Sequence, residues 1–77
     1  MHYANMEVVT VRPNLIAHRL ARNWNQAEAA RRAKLARSSY WLIEQGQRDP
    51  SLKVANRLSD LFGVPIQELL VDEKERV

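Results

Sequence analysis

Seventy-seven residues allow one domain and a thin core, with no room for a deep pocket. The chain has no cysteine, which excludes disulfides, thiolate metal sites and a cysteine nucleophile, and no apolar run approaches the ~18 residues that cross a membrane. Its net charge of +3 is unevenly placed: residues 1–43 carry seven Lys/Arg against Glu7 and Glu28, whereas residues 44–77 carry five basic and seven acidic residues, so the basic half suits a polyanionic partner.

The first eleven residues, MHYANMEVVTV, lack the basic-then-apolar order of a secretory signal, so a soluble cytoplasmic domain is expected. Met6 is an alternative start, which would make MHYAN a leader. Residues 7–11, EVVTV, are β-branched and favour an extended arm. Pro13 suits a first helical turn and opens a helix over about 13–22, with Ile16 and Leu20 four apart and Leu15 and Ala17 beside them. Asn23-Trp24-Asn25 interrupts it. Asn25 caps a second helix over about 26–33, with Glu28 placed to complete a box-like cap and Ala29, Ala30 and Ala33 as a small inner face.

Lys34-Leu35-Ala36 is a three-residue turn, short enough to hold the next helix at a steep angle so that it projects from the body. That third helix covers about 37–45, with Tyr40 and Ile43 inward and Gly46 as its terminator. Gln47–Pro50 is a loop. Ser51 caps a fourth helix, about 52–62, whose stripe is Leu52, Ala55, Leu58, Ser59 and Phe62; Gly63 stops it. Pro65 opens a short fifth helix, about 66–70, and the tail DEKERV is expected to fray. Residues 1–12 are thus an arm, 13–71 a domain and 72–77 a charged tail, with no internal repeat.

The run NQAEAARRAKLARSSYWLIEQGQRDPS resembles the helix-turn-helix of the Cro/cI-type (XRE family) repressors. Asn25, Gln26, Glu28, Ala30, Ile43, Glu44, Gly46, Pro50 and Ser51 fall on that family's pattern, and the later FGVPIQELL is similar to its Leu-Gly-Val and short last helix. The similarity spans residues 14–70. It implies an all-α fold, a compact bundle of five short helices of the lambda-repressor kind with a short extended N-terminal arm.

It further implies sequence-specific binding to double-stranded DNA by a small transcriptional regulator, a repressor of prokaryotic or phage type, acting as a homodimer. The third helix would lie in the major groove. Arg37 and Ser38 stand where such proteins meet base edges, and Trp41 and Leu42 fall one turn further on the same side. Asn25, Gln26, Ser39, Gln47 and Arg48 stand at phosphate-contacting places, and Arg19 and Glu44 match a base and acid that pair in some members.

Elementary chemistry agrees with these roles. An arginine fork fits guanine O6 and N7, worth ~1–3 kcal/mol of discrimination. Serine hydroxyls are short and both donate and accept. Glu44 is an acid beside a groove that repels acids, so an intramolecular arginine is its sensible use. Arg31 and Arg32 read as a solvated face. Trp41 is costly to leave in water and should touch a thymine methyl, a sugar, a partner chain or an arginine stem.

Several positions depart from the family. Lys34 replaces a turn glycine, at about 1 kcal/mol if φ is positive. Ala36 replaces a Ser/Thr cap, losing about 1 kcal/mol. Ala29 replaces a bulky aliphatic, a volume that Tyr40 can fill. Leu42 is apolar where polar readers are common, which leaves open a protein-binding variant, an antitoxin or coactivator-like adaptor using Trp41 and Leu42.

Other chemistry finds no footing. His2 and His18 are far apart, with no carboxylate at helical spacing from His18, so no metal is expected. No serine has a histidine and acid in register with it, and two glycines in the whole chain cannot build a phosphate-cradling loop. No enzyme, cofactor or small-molecule ligand is indicated. The dimer surface is either the fifth helix, through Leu69, Leu70 and Val71, or the exposed edge of the EVVTV arm.

Overall fold

The structure, a computed structural model, describes residues 8–76, with side chains described for residues 11–72. Met6 and Glu7 lie outside the described residues. Five helices form the body: α1 (Pro13–Ala21), α2 (Gln26–Arg32), α3 (Arg37–Glu44), α4 (Leu52–Phe62) and α5 (Ile66–Leu69). Two short strands, β1 (Val8–Val11) and β2 (Glu73–Arg76), pair antiparallel, with Val8 opposite Arg76 and Val11 opposite Glu73. The arm is extended, as its β-branched residues require. The tail does not fray: the arm offers a free edge beside it, and residues 73–76 take that edge as a second strand.

The helix starts follow local rules. Asn25 Oδ1 accepts the Glu28 N–H at 2.8 Å, and Ser51 Oγ accepts the Val54 N–H at 3.2 Å. The α2 cap is one-sided, because the Glu28 carboxylate turns outward to Arg31 and Arg32 rather than back to the cap. Hydrogen bonds to those two arginines hold Glu28 below the usual carboxylate range. Ala36 begins α3 with no side-chain cap.

The helix ends are more uniform than the sequence suggests. Asn23, Lys34, Gly46 and Gly63 all adopt left-handed backbone, with φ of 59°, 61°, 72° and 73°. After α1, α2 and α3 the same pair of bonds recurs. Trp24 N–H reaches Arg19 O and Asn23 N–H reaches Leu20 O; Leu35 reaches Ala30 and Lys34 reaches Arg31; Gln47 reaches Leu42 and Gly46 reaches Ile43. Each pair satisfies two carbonyls that the helix end would leave open.

The core is built from Leu15, Ala29, Ala30, Ala33, Tyr40, Ile43, Leu58, Phe62 and Leu69. The three alanines let α2 and α3 approach closely, and Tyr40 is fully buried in the same cluster as Ala29. The inward face of α1 is Leu15 and Arg19, while Ile16 is half-buried and Leu20 exposed. The period was disguised because an arginine with a buried partner occupies an inward position. Leu52 also leaves its stripe. It sits at the first turn of α4, beyond the edge of the core, and is 79% exposed. Leu69 belongs to the core, so of the three residues expected at a dimer surface, half-buried Leu70 and exposed Val71, just past α5, remain accessible.

Candidate nucleic-acid interface

α3 is fixed from one side. Tyr40, Ile43 and Glu44 are buried, and at helical spacing this turns Arg37, Ser38 and Trp41 outward. Arg37 and Ser38 are exposed, Trp41 is 41% exposed, and Ser39 and Leu42 are half-buried at the margin. Gln26, at the first position of α2, meets this edge: with Arg37, Ser38 and Trp41 it lines an open cleft of about 450 Å³. One cation, one hydroxyl, one amide and one indole therefore share a concave face.

Beneath that face lies a buried polar cluster. Arg19 Nε donates to Glu44 Oε2 at 2.6 Å and its Nη2 to Glu44 Oε1 at 3.3 Å, while Nη1 donates to the Trp24 carbonyl at 3.0 Å. The bond to Glu44 holds the Arg19 guanidinium above its ordinary value against the cost of its burial. Gln26 Nε2 donates to Glu44 Oε1 at 3.0 Å. An amide nitrogen carries two hydrogens, so one anchors Gln26 inward and the other is left for an outward acceptor. The Tyr40 hydroxyl lies beside this cluster, buried and without a hydrogen-bond partner. Burial, and then the Glu44 charge, push it far above its ordinary value.

The loop after α3 brings in the remaining candidates. Gln47 and Arg48 are exposed, and Arg48 Nη1 donates to Ser39 Oγ at 3.2 Å, so two of the expected phosphate-contacting side chains touch. The Asn25 side-chain oxygen is engaged at the α2 cap. Among the described residues, no group of three or more His, Asp or Glu could hold a metal ion.

Three features carry no signal in the sequence. Arg12 is 3% exposed and donates to Asp72, Asp49 and the carbonyls of Ile43 and Arg48. Its burial works against the charge, but Asp49 and Asp72 outweigh that and leave its pKa raised. Trp24, which interrupts two helices in the sequence, is flanked by guanidiniums in the structure. Arg32 lies 4.5 Å and Arg22 5.8 Å from its ring centroid, and Arg22 also lies 5.1 Å from the centroid of Phe62. Arg57, on α4, donates to the Lys34 carbonyl at 3.3 Å and so braces the turn between α2 and α3.

Residues 15–69, from the buried leucine of α1 to the buried leucine of α5, match the family model described as Helix-turn-helix. The chain belongs to the helix-turn-helix family. Among other helix-turn-helix proteins it is 33% identical over 58 residues to an uncharacterized HTH-type transcriptional regulator of Methanocaldococcus jannaschii, covering 75% of this chain and 88% of that one. It is 32% identical over 59 residues to the cryptic phage CTXphi transcriptional repressor RstR of Vibrio cholerae, covering 77% of this chain and 53% of RstR. The chain thus spans about half the length of RstR. The helix-turn-helix fold recurs in the crystal structure of the restriction-modification controller protein C.AhdI from Aeromonas hydrophila, with a TM-score of 0.67 and 29% identity over 87% of this chain and 98% of that one.

Proposed function

We propose that this chain binds double-stranded DNA sequence-specifically as a small transcriptional regulator, a repressor in the manner named for RstR. The observation that carries this is the outward edge of α3: Arg37, Ser38 and Trp41 are exposed on a helix whose opposite side is locked by Tyr40, Ile43 and Glu44. A rod with a buried back and a cationic, hydroxyl-bearing front suits the major groove. In this reading Arg37 and Ser38 read base edges, with Trp41 and Leu42 one turn on. Asn25, Gln26, Ser39, Gln47 and Arg48 hold phosphates, and Arg19 and Glu44 form the brace behind them.

A homodimer would place two copies of α3 in successive major grooves, about 34 Å apart. Among the described residues no helix is long and apolar enough to cross a membrane, and the reading places the protein in the cytoplasm with its DNA.

Half-buried Leu42 beside exposed Trp41 favours a second reading, a protein-binding adaptor or antitoxin. Selection of bound duplexes from a random pool, with affinity measured across a salt series, separates the two. DNA binding releases counterions, so affinity should fall steeply with salt and the selected pool should share a short motif. Absence of duplex binding at low salt would overturn the proposal in favour of the adaptor.

A further inference from the structure

The buried guanidinium of Arg12 is not used by the interface as described, and its surroundings are unusual. Its side chain is 4% exposed, and every polar atom it meets comes from a distant part of the chain. Nη1 reaches the Ile43 carbonyl at 3.2 Å, in the last turn of α3, and the Arg48 carbonyl at 3.0 Å, in the loop beyond. Nη2 reaches Asp49 Oδ1 at 2.5 Å, and Nε reaches Asp72 Oδ1 at 2.8 Å, at the entry to β2. The Arg12 backbone N–H adds a bond to the Glu44 carbonyl at 2.9 Å.

Stability alone does not call for this arrangement. Burying a charged fork carries a desolvation penalty that packed apolar side chains avoid, and replacement of buried ion pairs by such side chains is often neutral or favourable. What the rigid fork supplies is direction: several acceptors are held at fixed angles at once. A cation is also well placed at the carbonyl end of α3.

One of those acceptors is the peptide carbonyl of Arg48 itself. Arg48 is therefore held twice. Its backbone is gripped from within by Arg12, and its side chain lies along the face, donating to Ser39 Oγ at 3.2 Å. A long, exposed arginine on an unbraced loop would sample many positions and would lose that freedom on meeting a phosphate. Gripping its carbonyl removes part of that loss in advance. Asp72 is brought to the other side of the fork by the pairing of β1 with β2, so the strand pair contributes to holding the loop.

We infer that Arg12, assisted by Asp72, is a positioning residue for DNA-backbone binding: it holds the loop at residues 47–49 so that Arg48 stands beside Ser39 on the α3 face. This rests on the DNA-binding reading above.

The test is a double-mutant cycle on the full chain, with R12Q, R48A and the pair, read against a random-sequence DNA duplex across a salt series. Circular dichroism on each variant establishes the folded fraction. R48A should weaken binding about tenfold and lower the salt slope by about 1, as loss of one phosphate contact does. R12Q should produce the same two changes more weakly, with a several-fold loss. In the R48A background R12Q should add less than about twofold, because the group it positions is gone.

The inference is overturned if R12Q leaves the salt slope at the wild-type value, if its effect is as large without Arg48 as with it, or if R48A itself changes nothing. A purely structural arginine would lower the folded fraction and leave the slope of the folded protein alone. Should R12Q fail to fold, D72N replaces it in the same cycle. Asp72 is partly exposed, and D72N removes only the negative charge that faces Nε. Wild-type protein that ignores duplex at low salt would sink the DNA-binding reading and this inference together; wild-type binding with a fully multiplicative cycle would sink the inference alone.

Discussion

Arg19 grips both Glu44 oxygens with the Nε and Nη2 edge of its guanidinium, tying the last turn of α1 to the last turn of α3. Both side chains are nearly inaccessible, at 11% and 1% exposed. Removal of one partner leaves the other buried and charged. Arg19→Met should therefore cost about 3–5 kcal/mol, a large part of what a domain of this size has. Arg19→Met with Glu44→Leu should cost clearly less than the sum of the two single changes. Urea titrations of the three variants decide it; strictly additive losses would mean that the pair is not coupled.

Lys34 occupies a left-handed turn position where a side chain is strained. Lys34→Gly should stabilise the fold by about 1 kcal/mol, which for a domain of this size raises Tm by roughly 4–8 °C. The Arg57 bond goes to the Lys34 carbonyl and survives the change. An unchanged or lower Tm in calorimetry would show that the lysine side chain contributes something that offsets its strain.

Tyr40→Phe removes a buried hydroxyl that has no partner. The ring packing remains, so stability at neutral pH should be unchanged or up by as much as about 1 kcal/mol. The pH dependence is more telling. The unfolded tyrosine loses its proton near its ordinary value of 10.0, whereas the folded one holds it well beyond. Above that pH the unfolded state binds fewer protons, so the Tyr40 contribution, intact below it, drains away as pH rises. Wild-type stability should fall faster than that of Tyr40→Phe from about pH 10 upward. Parallel curves for the two proteins would place the hydroxyl in contact with water.

Arg37→Ala should cost about 1–3 kcal/mol on the selected duplex and relax preference at one base position, whereas Gln26→Ala should weaken all sequences alike. Repeating the random-pool selection with each variant makes the comparison direct. An unaltered motif from Arg37→Ala would remove this residue from base reading.

The body of the fold was legible because its signals are local. Asn25, Pro13, Ser51, Gly46 and Gly63 mark helix boundaries by their own chemistry, and Ala29, Ala30 and Ala33 announce close packing. The α1 face is not legible in the sequence, because Arg19 sits where a leucine would and only Glu44, 25 residues on, makes that position inward. The left-handed turn at Asn23 was missed because asparagine signals a cap as readily as a turn. Arg12 meets Asp72 across 60 positions, and nothing near either residue marks the other. The tail strand was hidden for the same reason. EKER has no β-branched residue, and only the arm alongside makes it extended. The outward edge of α3 could be read because the inward residues flanking it, Tyr40 and Ile43, are apolar.

The pairing of Val8 with Arg76 closes nearly the whole chain into a ring without a covalent link. Rings of this span are the slowest to shut, since the helices can gather through near neighbours long before two remote stretches meet. The ribbon should thus be the last piece to zip during refolding and the first to open in the native state. Its amide protons should then trade with deuterium by brief unlatching, on a clock separate from the cooperative melting that governs the helices.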